Sequence, residues 1–308
     1  MKHEIQEFFN LPLEEKKKFE RLAGDTDGYG QLFVVSDEQK LDWADLVYLK
    51  TSRPYLRMPV FSKLSFREKI EEYSEEIKEL TMKILELLGK AVGIKEEEVK
   101  SLFEEGMQSM RMNYYPPCPQ PELVMGICPH SDACGLTILL QVNETEGLQI
   151  RKDGVWTPIV PLPNAFIVNV GDVLEIPLTK QKNSLHPILD SALLSSHSSV
   201  YDHSEELEAL KHVDLLAYLQ KFSQMEFTEA SHRSVVSSEK ERISVATFHS
   251  PRLDGEFGPA DSLISADNPP KFTKIGVAEY YRGFFNRELV GKSYVDVMRI
   301  TSGDDLKN

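Results

Sequence analysis

Two histidines and one aspartate, far apart in the chain, have the residue types of a metal site. His130 and Asp132 form a His-x-Asp triplet, and His232 lies much further along. Two imidazoles and one carboxylate can hold one face of an iron(II) ion, which leaves the opposite positions open for an oxidant and a co-substrate. The triplet by itself is weak evidence, because surface turns produce many such sequences.

An arginine and a serine downstream strengthen this interpretation. Arg242 lies ten residues after His232, and Ser244 follows two residues later. A site that oxidises with the help of a dicarboxylate needs a fixed cation for the far carboxylate. The planar guanidinium of arginine binds a carboxylate through two parallel hydrogen bonds, and a hydroxyl on the same strand face adds a third donor.

The surrounding segments resemble a known family. The chain is similar to the plant 2-oxoglutarate- and iron(II)-dependent dioxygenases, and within them to the branch of the codeine and thebaine O-demethylases and the norcoclaurine-synthase-like oxygenases. The similarity covers residues 1–176 and 231–308. The segments that carry it are Met110 to Pro119, with its Asn-Tyr-Tyr-Pro sequence, Gly147 to Ile150, Asn169 to Asp172, and Ala246 to His249.

This resemblance implies an enzyme, its cofactors and its site residues. The expected reaction is hydroxylation or oxidative O-demethylation of a small plant specialised metabolite, such as an alkaloid or a flavonoid. It would consume O2 and release succinate and CO2, with Fe(II) as the metal, 2-oxoglutarate as co-substrate and ascorbate as an auxiliary reductant. The implied iron ligands are His130, Asp132 and His232, and the implied 2-oxoglutarate-binding residues are Arg242, Ser244, Tyr115 and Asn113.

Residues 177–230 do not fit the family pattern, in which a short turn joins the strand that ends at Gly171-Asp172 to the strand of the second histidine ligand. This atypical insertion contains a serine-rich run and apolar residues at helical spacing. It is interpreted either as a lid or partner-binding segment or as a poorly ordered addition. His232 is favoured over the inserted histidines because it enters an apolar strand and stands at the expected distance from Arg242. The competing histidines are His186, His197, His203 and His212.

The order of elements predicts a mainly β protein with flanking α-helices. Residues 1–106 are expected to form an N-terminal helical region, with a capping box at 65–68 and a helix that ends at Gly93. Residues 107–308 are expected to form a double-stranded β-helix (jelly roll), because short strands alternate with turn signals such as Lys152-Asp153-Gly154. Helical character returns at 277–297.

The bulk composition restricts the partners. A net charge of −14 argues against nucleic acid or an anionic membrane surface. The three cysteines cannot all pair, and no apolar run has membrane-spanning length. We therefore expect a cytoplasmic monomer whose partners are a small-molecule substrate and O2.

Two hypotheses of different classes follow. The first is an active small-molecule oxygenase. The second is a non-catalytic paralogue, truncated at its N-terminus, that acts as a binding protein through the insertion at 177–230.

Overall fold

The computed structural model describes most of the chain, apart from several short gaps and one long one. The predicted insertion and its four histidines lie outside the described residues. The described residues are 1–22, 24–34, 36, 38–52, 64–152, 154–163, 165–174, 231–267, 269–287 and 294–300.

The helices of the described residues lie mainly before the β-rich part and after it. Three short 3₁₀ turns occur at Pro121–Leu123, Asp261–Leu263 and Tyr294–Met298. The α-helices are α1 (Lys2–Asn10), α2 (Leu13–Lys17), α3 (Arg67–Val92), α4 (Glu96–Phe103) and α5 (Val277–Phe285).

Two antiparallel sheets make up the β-rich part. The strands are β1 (Gly28–Tyr29), β2 (Asp45–Lys50), β3 (Met107–Tyr115), β4 (Ile127–His130), β5 (Leu136–Gln141), β6 (Leu148–Lys152), β7 (Val155–Pro158), β8 (Phe166–Val170), β9 (His232–Ser234), β10 (Arg242–Ser250), β11 (Glu256–Phe257) and β12 (Ile275–Gly276). The larger sheet has the order β1-β2-β3-β10-β5-β8, and the smaller one has the order β4-β9-β6-β7. A separate pair joins β11 and β12.

The two large sheets enclose a cavity, which is the arrangement expected of a jelly roll. Its wall takes Asn113 and Ser244 from the larger sheet and His130 and Leu148 from the smaller one. The predicted hairpin is present, since Lys152 of β6 pairs with Val155 of β7 across a two-residue turn. Gly154 in that turn has φ +78°, which favours glycine.

Strand β10 lies at the centre of the larger sheet, between β3 and β5. Successive side chains of a strand point to opposite faces. On one face, Arg242, Ser244, Ala246 and Phe248 line the cavity. On the other face, Ile243 and Val245 join an apolar cluster with residues of α1 and α3. One strand therefore connects the cavity wall to the helical layer.

Helix α3 lies where the sequence predicts a helix, and an apolar stripe along it packs into the core. Ile70 and Ile77 are fully buried, and the helix ends at Gly93 in the left-handed conformation, as expected. The predicted capping box is wrong. The residue before the helix is Phe66, and no side chain caps the first turn. Packing of the stripe against the sheet, rather than a local cap, therefore stabilises this helix.

The prediction of a helical region over 1–106 missed two strands. Strands β1 and β2 extend the larger sheet, with Val47 of β2 opposite Met112 of β3. This part of the chain therefore belongs structurally to the sheet as well as to the helical layer. At the other end, the helical prediction for 277–297 is met by α5 and the turn at Tyr294–Met298, with 288–293 outside the described residues.

A buried polar network ties β10 to α3. The Thr81 hydroxyl donates to the Ile77 carbonyl at 2.7 Å and lies 3.1 Å from Nδ1 of His249. Because the Thr81 hydroxyl proton is already donated to Ile77, Nδ1 of His249 donates to the hydroxyl oxygen. Nε2 of His249 then accepts from the Gln108 amide at 2.9 Å. Burial lowers the pKa of His249 to about 3, so this imidazole is neutral in the folded protein.

Replacement of His249 by glutamine should flatten the acid dependence of stability. A histidine in the unfolded chain has a pKa of ~6.5. Between this pH and about 3 the unfolded chain binds a proton that the buried imidazole does not, so the folded protein loses stability as the pH falls through this range. The loss is about 1.4 kcal/mol per pH unit within this window. We expect the free energy of unfolding, measured by denaturant titration between pH 7.5 and 4.5, to fall less steeply in His249→Gln.

The matched control is His3→Gln, since His3 is exposed. This change should leave the slope of the wild-type protein unaltered. Parallel slopes for wild type and His249→Gln would contradict the assignment of a neutral buried imidazole.

Candidate active site

The three candidate metal ligands converge at the edge of the smaller sheet. His130 ends β4 and lies opposite His232, the first residue of β9. Oδ1 of Asp132 is 3.7 Å from Nε2 of His130 and 3.6 Å from Nε2 of His232. The ligand atoms of the three residues all lie within 4.8 Å of one another. Of the described histidines, His232 is thus the one that joins the His-x-Asp pair.

Hydrogen bonds orient the ligand atoms toward a common point. Nδ1 of His130 donates to the Cys128 carbonyl at 2.7 Å, which leaves the lone pair of Nε2 directed at the site. The Thr137 hydroxyl donates to Oδ2 of Asp132 at 2.7 Å. The second oxygen, Oδ1, is the one that faces the histidines. Both ligands are therefore oriented before any metal binds.

The charge state of the cluster suits a cation. Burial, reinforced by the neighbouring His232, lowers the pKa of His130 to about 3. Burial acts to raise the pKa of Asp132, but His232, His130 and hydrogen bonds from Thr137 and Asn169 outweigh it, and the pKa is lowered. His130 is neutral and Asp132 is ionised at neutral pH, which is the state that binds a divalent metal.

A tight turn holds the His-x-Asp segment against the larger sheet. The Asp172 amide donates to the Asp132 carbonyl at 2.8 Å, and the Ser131 hydroxyl donates to the Asp172 carboxylate at 2.8 Å. A Cβ at Gly171 would collide with the Cys134 carbonyl, so only glycine allows this close approach. The Asn-Val-Gly-Asp sequence therefore positions the metal-binding segment.

Arg242 lines the same cavity as the three candidate ligands. Its guanidinium donates to the Ser234 hydroxyl at 3.2 Å, to Gln141 Oε1 at 3.3 Å and to the Ser244 hydroxyl at 3.5 Å. Its buried Nε has no hydrogen-bond partner. Among the described residues, no carboxylate forms an ion pair with this side chain. Burial lowers the pKa of Arg242, so the positive charge is held at an energetic cost.

Two further predicted residues line this cavity of about 50 Å³. Tyr115 pairs with Arg242 in the strand register, and the guanidinium carbon lies 5.1 Å from the centre of its ring. Asn113 pairs with Ser244, and its buried Oδ1 has no partner. The structure thus brings all seven predicted site residues to the wall of one cavity.

The residues present fit both an iron(II) ion and 2-oxoglutarate. Two imidazoles and a carboxylate on one side of a point are the ligand set of non-haem iron oxygenases. A buried arginine with a spare donor and no carboxylate partner among the described residues fits the far carboxylate of 2-oxoglutarate. Gly147 leaves room for the side chain of Arg242, since a Cβ there would lie 2.7 Å from Cδ of Arg242.

Sequence reasoning missed several supporting residues. Thr137 and Asn169 are cross-strand partners in β5 and β8, and both act on Asp132. Ser234 and Gln141 contact Arg242. The signal available was the alternation of polar residues within apolar strands, such as Thr137 in Leu136 to Leu140. Alternation shows that a residue shares a face with the site but not which partner it meets.

A mainly antiparallel jelly roll with a His-Asp-His cluster and a buried arginine defines a non-haem iron oxygenase. The family model of the 2OG-Fe(II) oxygenase superfamily matches residues 106–196, and that of the N-terminal region of non-haem dioxygenases in morphine synthesis matches residues 1–72. The chain belongs to the 2OG-Fe(II) oxygenase superfamily. It is accordingly a dioxygenase dependent on Fe(II) and 2-oxoglutarate, and the predicted family, the fold class and these two cofactors are confirmed.

Relatives with known reactions cover almost the whole chain. The chain is 48% identical to oxoglutarate-dependent flavonoid 7-O-demethylase 1 of Ocimum basilicum, over 97% of this chain and 69% of that protein. It is 42% identical to thebaine 6-O-demethylase of Papaver somniferum, over 97% and 72% respectively. The predicted truncation and insertion stay predictions.

A solved structure shows the same fold with its ligands. The crystal structure of JOX2 in complex with 2OG, Fe and JA superimposes with a TM-score of 0.76 at 31% identity, over 97% of this chain and 77% of that one. Among the described residues, no helix has the length and apolar content needed to cross a membrane.

Replacement of Thr137 by valine should weaken iron binding without unfolding the protein. The change removes the hydroxyl that fixes Oδ2 of Asp132, and loss of such a support typically costs about 10–100-fold in metal affinity. Anaerobic titration with Fe(II) measures the dissociation constant.

Thr247→Val is the matched control, because this equally buried threonine lies on the face of β10 away from the cavity. If both valine variants bind Fe(II) as the wild type does, the hydrogen bond to Asp132 does not organise the site.

Proposed function

We propose that this chain oxidises a small plant specialised metabolite at a C–H or O-methyl carbon, with succinate and CO2 as co-products. In this proposal His130, Asp132 and His232 are the iron ligands. Arg242 and Ser244 bind the far carboxylate of 2-oxoglutarate, with Tyr115 and Asn113 beside them. The observation that carries the proposal is the convergence of three ligand atoms in the cavity that also holds an arginine without a carboxylate partner among the described residues.

Bound iron would supply the reduction of O2, coupled to decarboxylation of 2-oxoglutarate and transfer of one oxygen atom to the substrate. The residues of this chain provide position, charge and exclusion of water. Asp132 and the two histidines leave one side of the metal site open to ligands, and the buried walls of β5 and β10 keep water away from it. A hydroxylated O-methyl carbon then loses formaldehyde and leaves an alcohol.

The relatives favour demethylation within this range of reactions. Three of the similar proteins are named as O-demethylases, one of a flavonoid, one of thebaine and one of codeine. The alternative of a non-catalytic binding protein depends on residues 177–230, which lie outside the described residues. The described residues support the oxygenase.

Anaerobic titration with Fe(II) and 2-oxoglutarate tests the site directly. We expect the weak visible charge-transfer band of the iron–2-oxoglutarate chelate in the wild-type protein and its loss in Asp132→Ala. Removal of this carboxylate takes away the negative charge that the metal requires and one of its three protein ligands. Under air and with substrate, succinate release should be lost together with the band.

Asp261→Ala serves as the control, since this aspartate is on the surface. A wild-type protein that shows no band at saturating Fe(II) and 2-oxoglutarate, while its unfolding remains cooperative, contradicts the proposed function.

Arg242→Met should abolish the preference for a dicarboxylate. Loss of a buried charge-assisted pair typically costs at least about 2 kcal/mol, or about 30-fold in affinity. The ligand control is 2-oxopentanoate, a keto acid with the same carbon chain and no far carboxylate. We expect the wild type to bind 2-oxoglutarate far more tightly than 2-oxopentanoate, and Arg242→Met to bind the two alike, as measured by the chelate band.

Retained discrimination in Arg242→Met would show that another residue holds the far carboxylate. Because iron binding depends on the three other side chains, it should persist in this variant.

A further inference from the structure

Two further connected cavities lie beside the cavity of Arg242, on the same face of the larger sheet, and share Arg111 with it. The inner one, of about 70 Å³, reaches His130 and Asp132. The outer one, of about 400 Å³, lies beneath the segment from Gln31 to Asp42. Leu32, Phe33 and Arg111 line both cavities. These three residues therefore surround the passage from the outer space to the metal-binding cluster.

Arg111 is a buried cation with unused donors. Its side chain, on β3, is 6% exposed, and its buried Nε has no hydrogen-bond partner. No hydrogen bond or ion pair joins its guanidinium to any other residue that the structure describes. Burial of a charged group without a counterion is costly, so such a group marks a place where an anion or strong acceptor binds. Arg242 has the same property in the cofactor cavity.

Aromatic rings form much of the remaining wall. Phe33 stacks on Phe285, with ring centres 5.5 Å apart and planes at 11°, and meets Phe284 edge-on. Its φ of +60° is unusual for a bulky residue, so packing holds the ring at a cost in backbone strain. The Tyr281 hydroxyl already donates within the protein, to Ser250 at 2.7 Å. This wall therefore offers ring faces and few hydrogen-bonding groups.

Asp42 is an acidic residue of the outer cavity, and its charge affects any anion bound beside Arg111. Its Oδ1 accepts from the Cys128 amide at 3.1 Å, and it lines the outer cavity together with Arg111. Burial raises the pKa of Asp42 although Arg111 acts to lower it, and burial also raises the pKa of the Cys128 thiol to about 11. The thiol is therefore neutral, whereas the carboxylate of Asp42 would oppose a bound anion, as would Glu38 in the outer cavity and Asp132 in the inner one.

We propose that the substrate is a flat aromatic or conjugated acid, whose anionic oxygen binds Arg111 while its ring lies against Phe33. The acidic group is a carboxylate or an acidic phenol, which present the same chemistry to a guanidinium. This arrangement would direct the far end of the molecule toward His130 and Asp132. The inference rests on the proposed function, because it assigns the substrate of that same site.

The test compares acids with their neutral methylated forms. One pair is 4-methoxycinnamate and its methyl ester, and the other is a methoxyflavone with one acidic phenol and its fully methylated form. Anaerobic calorimetry measures the binding of each compound to the full chain loaded with Fe(II) and 2-oxoglutarate. We expect wild type to bind the acidic member of at least one pair at least about tenfold more tightly than its neutral form. The pair that shows the preference identifies the acid.

Arg111→Met should lose this preference and keep the affinity for the neutral forms, which shows that the fold is intact. Arg111→Lys should retain part of it, because the charge remains but the planar fork does not. Asp42→Asn keeps an oxygen for the Cys128 amide and removes the opposing charge, so it should strengthen acid binding a few-fold. Misfolding cannot produce a gain of this kind.

Three results would each overturn the inference. The wild type binds acids and neutral forms equally, or it binds none of the acidic compounds, or the preference for acids survives in Arg111→Met. The chelate band of iron and 2-oxoglutarate is recorded in every sample. Its loss would count against the proposed function, whereas its presence without acid preference would count against the role of Arg111 alone.

Discussion

The pairing of β4 with β9 is the constraint on which the site depends. It places His130 opposite His232 and so brings together residues from distant parts of the chain. Strand β9 is only three residues long, and its position is fixed from both sides, since Ile150 of β6 also pairs with His232. Arg233 adds a side-chain contact, because its Nε donates to Gln149 at 2.8 Å and its guanidinium lies 4.3 Å from the ring of Trp156. A shift of one residue would turn His232 away from Asp132.

Charge is distributed unevenly inside the jelly roll. Asp132 provides a negative charge at the histidine cluster, whereas Arg242 and Arg111 are buried cations without an ion-pair partner among the described residues. In the proposed complex a divalent metal would offset the first charge, and anionic ligands would offset the other two. Burial of these charges carries an electrostatic cost that ligands of opposite charge would relieve, which favours binding of charged compounds over neutral ones of similar shape.

The sequence predicted the residues of the candidate site better than the residues that position them. The His-x-Asp triplet and the Arg-x-Ser sequence each lie within one local segment, so their spacing alone indicates a shared function. The partnership of Thr137 with Asn169 depends on the register of β5 against β8, which no local pattern specifies. Strand β2 was missed because Asp45–Lys50 is a short apolar run among helical segments, and its place in the sheet comes from pairing with a distant strand. The capping box failed because the helix begins at Arg67, and burial of Ile70 and Ile77 determines its position.

Different parts of strand β10 line different cavities. Arg242 and Ser244, at its beginning, line the cavity proposed for 2-oxoglutarate, whereas Phe248, near its end, lines both that cavity and the inner cavity proposed for the substrate. On the opposite face, His249 is fixed to α3 through Thr81, so the end near the substrate is anchored as firmly as the end near the cofactor. A change of substrate can therefore be accommodated at Phe248, at Phe33 and around Arg111 without disturbing Arg242. This separation explains in physical terms how a single jelly roll can keep one cofactor site and accept different small molecules.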